Sequence, residues 1–239
     1  MLQKIIDIIY PARCPICEEI IIPKDIRVCS SCKSKLSYVE EPRCMKCSKP
    51  IEHEDKEYCI DCERKKYSYE RGFSIWVYDD LMKKSIAAFK YNNKKEYAGF
   101  YIDEMLRLYG DAITKLKPDA IVPVPIHRSK YFSRGYNQAE ILARGIGKAL
   151  NIPVIANLLI RKKRTEPQKK LDNRQRLANL QKAIIYNYKA VKNNKTINSI
   201  LLVDDIYTTG STIAVCSNVL IANGVQKVYF ITLCIGKGF

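Results

Sequence analysis

Two neighbouring carboxylates lie between an apolar run and a loop of small hydroxylic residues. Residues 201–213 read LLVDDIYTTGSTI. The pattern predicts a buried strand over 200–203, an exposed strand end at Asp204 and Asp205, and a loop that opens into a helix. Such a loop is typical of a phosphate site, because the first N–H groups of a helix have no partners within the helix. The acids would repel phosphate alone but accept hydrogen bonds from hydroxyls, so the segment indicates a phosphorylated sugar.

The predicted phosphate loop contains five small residues: Thr208, Thr209, Gly210, Ser211 and Thr212. Gly210 would let the backbone approach a ligand closely, because glycine has no Cβ. Two other interpretations stay open at this point. The acids would then bind a metal ion, or the segment would be a plain capped turn.

Eight of the ten cysteines form four C-x-x-C pairs at regular intervals: Cys14 and Cys17, Cys29 and Cys32, Cys44 and Cys47, and Cys59 and Cys62. Two such pairs supply the four thiolates that a structural Zn²⁺ takes, so the pattern predicts two closed zinc sites. Pairing of sequence neighbours would give tandem zinc ribbons, and a cross-braced pairing of alternate doublets satisfies the spacing equally well. A disulfide scaffold is disfavoured because no export signal is visible. His53 is expected at the surface, since eight thiolates fill two sites.

Charge is unevenly distributed along the 239 residues. The formal net charge is +16, but residues 1–66 hold 13 basic and 12 acidic side chains. The basic excess therefore belongs to residues 67–239, and it suits a phosphorylated ligand or nucleic acid. Neither a secretory signal nor a membrane-spanning run is visible, which predicts a cytoplasmic protein.

Apolar periodicity predicts the elements that position these residues. Strands are expected at 73–78, 119–125, 182–186 and 200–203, and helices at 80–91, 95–109, 137–150 and 211–222. Alternating strands and helices predict an α/β domain around a mostly parallel sheet, with its ligand at the carboxyl ends of the strands. We therefore divide the chain into a double zinc-ribbon module, 1–66, and an α/β domain, 67–239, joined through a polar link at 67–71. Cys216 and Cys234 lie in apolar patterns and are expected in the core.

Several segments together resemble a known family. The run VDDIYTTGST resembles the phosphoribosyl pyrophosphate (PRPP) signature of type I phosphoribosyltransferases. With it, VPVPIHRSKYFSRGYNQAEILAR at 122–144, RTEPQKKLDNRQRLAN at 164–179 and the four cysteine pairs resemble the ComF family of competence-associated proteins, also called ComFC or GntX-like. The resemblance implies a type I phosphoribosyltransferase fold, with a mostly parallel sheet flanked by helices and a small amino-terminal zinc-ribbon module.

The resemblance also implies site residues. Asp204 and Asp205 would act in catalysis by holding the ribose hydroxyls, and the loop at 208–212 would hold the 5′-phosphate. Mg²⁺ would bind together with PRPP, and the basic loop 161–170 would close over the ligand. Further PRPP-binding residues implied by the family motifs are Lys90, Tyr91, Arg134, Gly135, Asn137, Gln138, Arg164 and Arg174.

Three functions are consistent with these features. The first is a phosphoribosyltransferase with an unidentified acceptor that acts in DNA uptake and natural transformation and binds single-stranded DNA, with a competence-machinery helicase as a partner. The second is a PRPP-binding regulator or scaffold without turnover. The third is a nucleobase salvage phosphoribosyltransferase.

Overall fold

A four-stranded parallel sheet organises the chain. The computed structural model describes residues 11–23, 26–162, 183–191 and 196–236. Six strands lie in those ranges: β1 Arg71–Val77, β2 Ala120–Pro123, β3 Leu159–Arg161, β4 Ile184–Tyr186, β5 Ser199–Tyr207 and β6 Lys227–Ile235. The main sheet has the order β1-β6-β5-β2 with every neighbouring pair parallel, while β3 and β4 form a separate antiparallel pair.

Seven α-helices lie in the same ranges: α1 Ser30–Lys33, α2 Ile60–Arg64, α3 Asp80–Tyr91, α4 Ala98–Leu116, α5 Arg128–Arg134, α6 Gln138–Leu150 and α7 Ser211–Ala222. The start of α3 is capped by Asp79, whose side chain accepts a hydrogen bond from the Met82 backbone N–H. Asn137 caps α6 in the same way through the Ala139 N–H. Such caps satisfy backbone donors that a helix leaves without partners.

Both faces of the sheet are buried. Along β5, Leu201 and Val203 join one hydrophobic core, while Ile200 and Leu202 join the other. This alternation is expected of a strand that is covered on both sides. The first core contains side chains of α3, α4 and α6, and the second contains those of α7. This arrangement confirms the α/β fold class that the resemblance implies, a parallel sheet flanked by helices beside a small zinc-ribbon module.

The amino-terminal module packs directly on the edge strand β1. The Val39 N–H donates to the Ile75 carbonyl at 2.9 Å, and the Val77 N–H donates to the Ser37 carbonyl at 2.8 Å. Further along, the Gly72 N–H donates to the Lys46 carbonyl at 2.8 Å. The module therefore covers a sheet edge that would otherwise carry unpaired backbone groups. The boundary between residues 66 and 67 remains a prediction.

Some element bounds differ from those expected. The predicted helix 95–109 begins as a 3₁₀ turn at Lys95–Tyr97 and continues as α4 to Leu116. The predicted strand at 200–203 extends to Tyr207, because pairing with β6 continues to Tyr207 and Ile235. Asp204 and Asp205 are therefore partly buried within β5, and their expected position at an exposed strand end was wrong.

The expected polar link at 67–71 is also part of the fold. Tyr69 is buried, because its ring packs edge-on against Phe230 and its hydroxyl meets that of Tyr207 at 2.8 Å. Cys216 and Cys234 are fully buried, as expected. Across the described ranges, none of the helices combines the length and apolar character needed to span a membrane.

Candidate functional site

The carboxyl end of β5 places the two acids against a lysine from α3. Lys90, in the last turn of α3, donates to Asp205 Oδ1 at 2.8 Å. The two side chains are only 16% and 14% exposed. The Asp205 backbone N–H donates to Asp204 Oδ1 at 2.9 Å, which fixes the orientation of the neighbouring carboxyl. Lys90 and Asp205, far apart in sequence, are thus in direct contact.

Asp204 titrates near neutrality. Burial and, after it, the charge of Asp205 raise the pKa of this carboxyl to about 7. The hydrogen bond from the Asp205 backbone and the positive charges of Lys90 and Arg161 act in the opposite direction. The group therefore exchanges its proton near pH 7 and is suited to bind hydroxyls as either donor or acceptor.

Four basic side chains surround this end of the sheet. The pKa of Lys130, in α5, is lowered by desolvation from neighbouring atoms and then by the positive charges of Arg134, Arg161 and Lys90. Burial also lowers the pKa of Arg161, in β3. Mutual repulsion of this kind is relieved when an anion binds among the cations. Lys130 and Arg161 were not among the individual residues predicted, although α5 (RSKYFSR) carries three basic residues and no acid.

The turn between α5 and α6, which reads RGYNQ at 134–138, holds the side chain of Arg134 in place. Arg134 Nη1 donates to Gln138 Oε1 at 2.9 Å, and Arg134 Nη2 donates to the Tyr91 hydroxyl at 3.0 Å. The guanidinium also lies over the Tyr91 ring, 4.7 Å from its centroid. Gly135 ends α5 with a φ of 78°, a left-handed conformation that favours glycine.

Asn137 anchors this turn to the sheet. Its Nδ2 donates to the Val124 carbonyl at 3.0 Å, directly after β2, and its Oδ1 caps α6. Arg134 Nε and Gln138 Nε2 are buried, and neither has a hydrogen-bond partner among the described residues. Buried donors of this kind are costly unless they bind a ligand or water.

The predicted phosphate loop lies between β5 and α7. Gly210 has a φ of 74° and precedes the first residue of α7. A Cβ at this position would lie 2.3 Å from the Tyr207 hydroxyl, so both conformation and space require glycine. The hydroxyls of Thr209 and Ser211 meet at 2.9 Å. The first N–H groups of α7 are available to a phosphate at this end of the helix.

Other predicted residues lie outside the described ranges. Arg164 and Arg174 belong to this group, as does the loop 161–170 except for its first two residues. Among the described site residues, the structure brings Lys90, Tyr91, Arg134 and Gln138 to the side of the acid pair. Asn137 is present as well, but its side chain is engaged in holding the backbone.

The eight paired cysteines form two tetrads. One contains Cys14, Cys17, Cys29 and Cys32, and the other contains Cys44, Cys47, Cys59 and Cys62, with the sulfur atoms of each tetrad within 4.8 Å of one another. Their pairing is thus between sequence neighbours, and the cross-braced alternative is wrong. Sulfur atoms of neighbouring pairs lie 3.8 Å apart in the first tetrad and 3.6 Å apart in the second. A tetrahedron with Zn–S distances of about 2.3 Å requires about 3.8 Å, so both tetrads fit Zn²⁺.

Solved structures with partial likeness are phosphoribosyltransferases. A purine phosphoribosyltransferase from Pyrococcus horikoshii Ot3 aligns at 15% identity with a TM-score of 0.34, over 57% of this chain and 86% of that one. An adenine phosphoribosyltransferase aligns at 14% identity with a TM-score of 0.37, over 62% of this chain and 84% of that one.

Relatives in sequence are more informative. A family model described as a double zinc ribbon domain matches residues 5–63. Competence protein ComFC of Bacillus subtilis is 28% identical over 85% of this chain and 82% of its own length. DNA utilization protein YhgH of Escherichia coli K12 is 28% identical over 72% of this chain and 75% of its own length. Competence protein F of Haemophilus influenzae is 33% identical over 70% of this chain and 73% of its own length. At that identity and coverage, the chain belongs to the competence protein F family, ComF.

Proposed function

We propose that this protein binds PRPP at the carboxyl end of β5 and transfers its phosphoribosyl group. The observation that carries the proposal is the convergence of the partly buried acid pair, four cations and a helix start with a left-handed glycine at one edge of the sheet. PRPP presents a diol, a pyrophosphate and a 5′-phosphate. Each of these groups has a chemically matched partner there.

The 5′-phosphate would bind the N–H groups and hydroxyls between Thr208 and Thr212. Asp204 and Asp205 would accept hydrogen bonds from the ribose hydroxyls, and Lys90, Lys130 and Arg134 would face the pyrophosphate. Mg²⁺ characteristically binds one or two carboxylates together with substrate phosphates, which the acid pair suits. Bound there, it would neutralise charge on the pyrophosphate.

In the transfer reaction, the bond between C1 of the ribose and the pyrophosphate oxygen breaks, and its electron pair leaves on pyrophosphate. An acceptor nucleophile supplies the pair that forms the new bond to C1. The contribution of the protein is to hold cations and N–H donors where the leaving charge develops. We assign this task to Lys130 and Arg134, because their like charges lie close enough to repel each other.

A role in handling DNA is the wider context that we propose. Relatives carry the names competence protein and DNA utilization protein. In this chain, α5 combines Arg128, Lys130 and Arg134 with two exposed aromatic rings, Tyr131 at 47% and Phe132 at 78% exposure. Basic residues that follow a phosphate backbone and rings that stack on bases are the features of single-strand binding. We include a competence-machinery helicase as a partner and the cytoplasm as the location in this proposal.

Calorimetric titration with PRPP and Mg²⁺ tests the binding proposal. Asp204→Asn and Asp205→Asn are expected to weaken PRPP binding at least tenfold, while Asp111→Asn, an exposed change on α4, leaves it unchanged. Equal affinities for all four proteins would overturn the site assignment. Release of pyrophosphate with a panel of nucleobases, with and without DNA, then separates an enzyme from a regulator or scaffold without turnover. Release with a free nucleobase alone would favour the nucleobase salvage alternative.

A further inference from the structure

The two zinc tetrads lie against different parts of the fold. Cys14 and Cys32 of the first tetrad belong to the core formed with α3 and α4. Cys44, Cys47 and Cys59 of the second belong to the other core, which also contains Tyr207 and Ile213 on either side of the phosphate loop. The two metal sites are therefore not equivalent with respect to the candidate ligand site.

A short tyrosine segment joins the second tetrad to the phosphate loop. Helix α2 contains Cys62, and Tyr67 lies five residues after that cysteine. The Tyr67 hydroxyl donates to the Thr209 backbone carbonyl at 3.1 Å. Its ring stacks on that of Tyr69, with centroids 5.1 Å apart. This hydrogen bond connects the chain leaving the zinc site to the loop residue just before Gly210.

Tyr69 supplies a second connection beneath the loop. The hydroxyls of Tyr69 and Tyr207 are hydrogen-bonded at 2.8 Å, and both residues are buried. Tyr207 stacks on Phe230 with an interplanar angle of 5° and centroids 5.1 Å apart. The Tyr207 hydroxyl is also the atom that a Cβ at Gly210 would approach to 2.3 Å. The loop backbone at Gly210 therefore packs against the Tyr207 hydroxyl, which the Tyr69 hydroxyl holds in position.

The other side of the tyrosine segment is held by the second ribbon. Ser48, next to Cys47, donates through its hydroxyl to the Gly72 carbonyl at 2.7 Å. The Lys46 carbonyl accepts from the Gly72 N–H at 2.8 Å, and the Lys46 amine lies 5.8 Å from the centre of the Tyr69 ring. The segment 67–72 is thus fixed at Gly72 by the cysteine turn, at Tyr67 by the phosphate loop and at Tyr69 by Tyr207.

We propose that the second zinc site, acting through Tyr67 and Tyr69 as positioning residues, holds the loop at 208–212 in the conformation that receives a 5′-phosphate. Among the described residues, no hydrogen bond links the first zinc site to this loop, although Cys17 and Tyr91 line one cavity. The inference rests on the proposed function of the loop as the 5′-phosphate site. Zinc loading and affinity for phosphorylated ribose are coupled through one tetrad and not through the other.

The test compares ribose 5-phosphate with pyrophosphate on the full chain. Tyr67→Phe removes one hydroxyl and retains the stacking surface. We expect about fivefold weaker binding of ribose 5-phosphate, the effect of one hydrogen bond, and unchanged binding of pyrophosphate, which contacts the cations instead. Tyr38→Phe is the matched control, because its hydroxyl joins the module to Glu104 at 2.7 Å, away from the loop. Equal losses for both ligands, or no loss for either, would overturn the inference.

Amide hydrogen exchange separates this inference from the proposed function. Exchange at 208–212 is expected to be faster in Tyr67→Phe than in wild type without any ligand, and unchanged in Tyr38→Phe. If wild type bound neither ligand, the proposed function would fail, and the exchange rates alone would decide whether the tyrosines hold the loop. Unaltered exchange in Tyr67→Phe would refute that role.

Substitution of one cysteine in each tetrad tests the asymmetry. Cys62→Ser and Cys29→Ser change the partly exposed ligands of the second and first tetrads. Each variant is expected to lose one Zn²⁺ by metal analysis. Ribose 5-phosphate binding should fall more than fivefold in Cys62→Ser and stay near wild type in Cys29→Ser. Equal affinities in the two variants would contradict a special role for the second site, and the tyrosine variants remain decisive if a cysteine variant fails to fold.

Discussion

Lys90 and Asp205 form an ion pair of 2.8 Å that joins the end of α3 to β5. Both side chains are largely buried, so each charge depends on the other for compensation. Both charges also act on the neighbouring carboxyl of Asp204. The Asp205 charge raises the pKa of Asp204, and the Lys90 charge lowers it. Stability and ligand binding are therefore linked at this position.

Breaking the pair from one side should destabilise the fold more than removing both charges. We expect Lys90→Met to lower the free energy of unfolding by about 2–3 kcal/mol, because Asp205 remains partly buried without its partner. The double variant Lys90→Met/Asp205→Asn should recover most of that loss. Urea unfolding of wild type, Lys90→Met, Asp205→Asn and the double variant measures the coupling. Additive effects would show that the contact contributes little.

The raised pKa of Asp204 predicts that the free energy of unfolding depends on pH. Its folded-state pKa of about 7 lies above the ordinary carboxyl value of about 4, so the folded protein holds this proton more tightly than the unfolded chain does. The stabilisation from this group is complete below about pH 4 and is lost as the pH rises through 7. Relative to wild type, Asp204→Asn should gain about 2 kcal/mol in free energy of unfolding between pH 5.5 and pH 8. Parallel curves for the two proteins would contradict the raised pKa, and Asp111→Asn provides the control.

Metal content follows from the two tetrads. Metal analysis of the full chain is expected to return about two Zn²⁺, on the four-thiolate rule. Removal by a chelator should unfold the module, because metal binding supplies much of the folding free energy of small domains. Cys216→Ser changes a buried core cysteine and should leave the zinc content unchanged. A count of one would show that a tetrad has another purpose.

Single-strand binding through α5 should depend separately on stacking and on charge. Phe132→Ala is expected to weaken binding of single-stranded DNA about tenfold, since base stacking on a ring contributes about 1–3 kcal/mol. The salt dependence should stay the same in that variant. Lys130→Gln should instead reduce the slope of log K against log salt by about 0.7, the value for one phosphate contact. Fluorescence titration at several salt concentrations measures both effects.

The control for this surface is Tyr188→Ala. This change removes a ring that is 72% exposed in the 3₁₀ turn Tyr188–Ala190, outside α5. Its affinity for single-stranded DNA should equal that of wild type. Equal weakening by Phe132→Ala and Tyr188→Ala would mean that α5 is not a specific binding surface.

Local patterns predicted the local elements well. Asp80–Tyr91 and Ser211–Ala222 have the expected bounds, because their apolar spacing and flanking residues mark both ends. The cysteine intervals predicted two zinc sites but left their pairing open, since spacing alone is the same for tandem and cross-braced arrangements. The structure decides between them by proximity of the sulfur atoms.

Tertiary contacts explain what the sequence left out. Burial of Asp204 and Asp205 depends on pairing between β5 and β6, which no local pattern encodes. Lys130 is one basic residue among many until the fold brings it near Arg161 and Lys90. Tyr69 lies in a polar segment and becomes buried only through contacts with Tyr207 and Phe230. Each of these features arises from residues that are distant along the chain.

The position of β6 between β1 and β5 has a consequence for biosynthesis. The ribosome makes β1 early, but its sheet neighbour is the last of the described strands to emerge. The two zinc tetrads, whose ligands are close in sequence, are able to fold on the nascent polypeptide well before the sheet is complete. A premature stop codon upstream of Lys227 would therefore yield zinc-loaded ribbons attached to a sheet in which β6 is missing between β1 and β5.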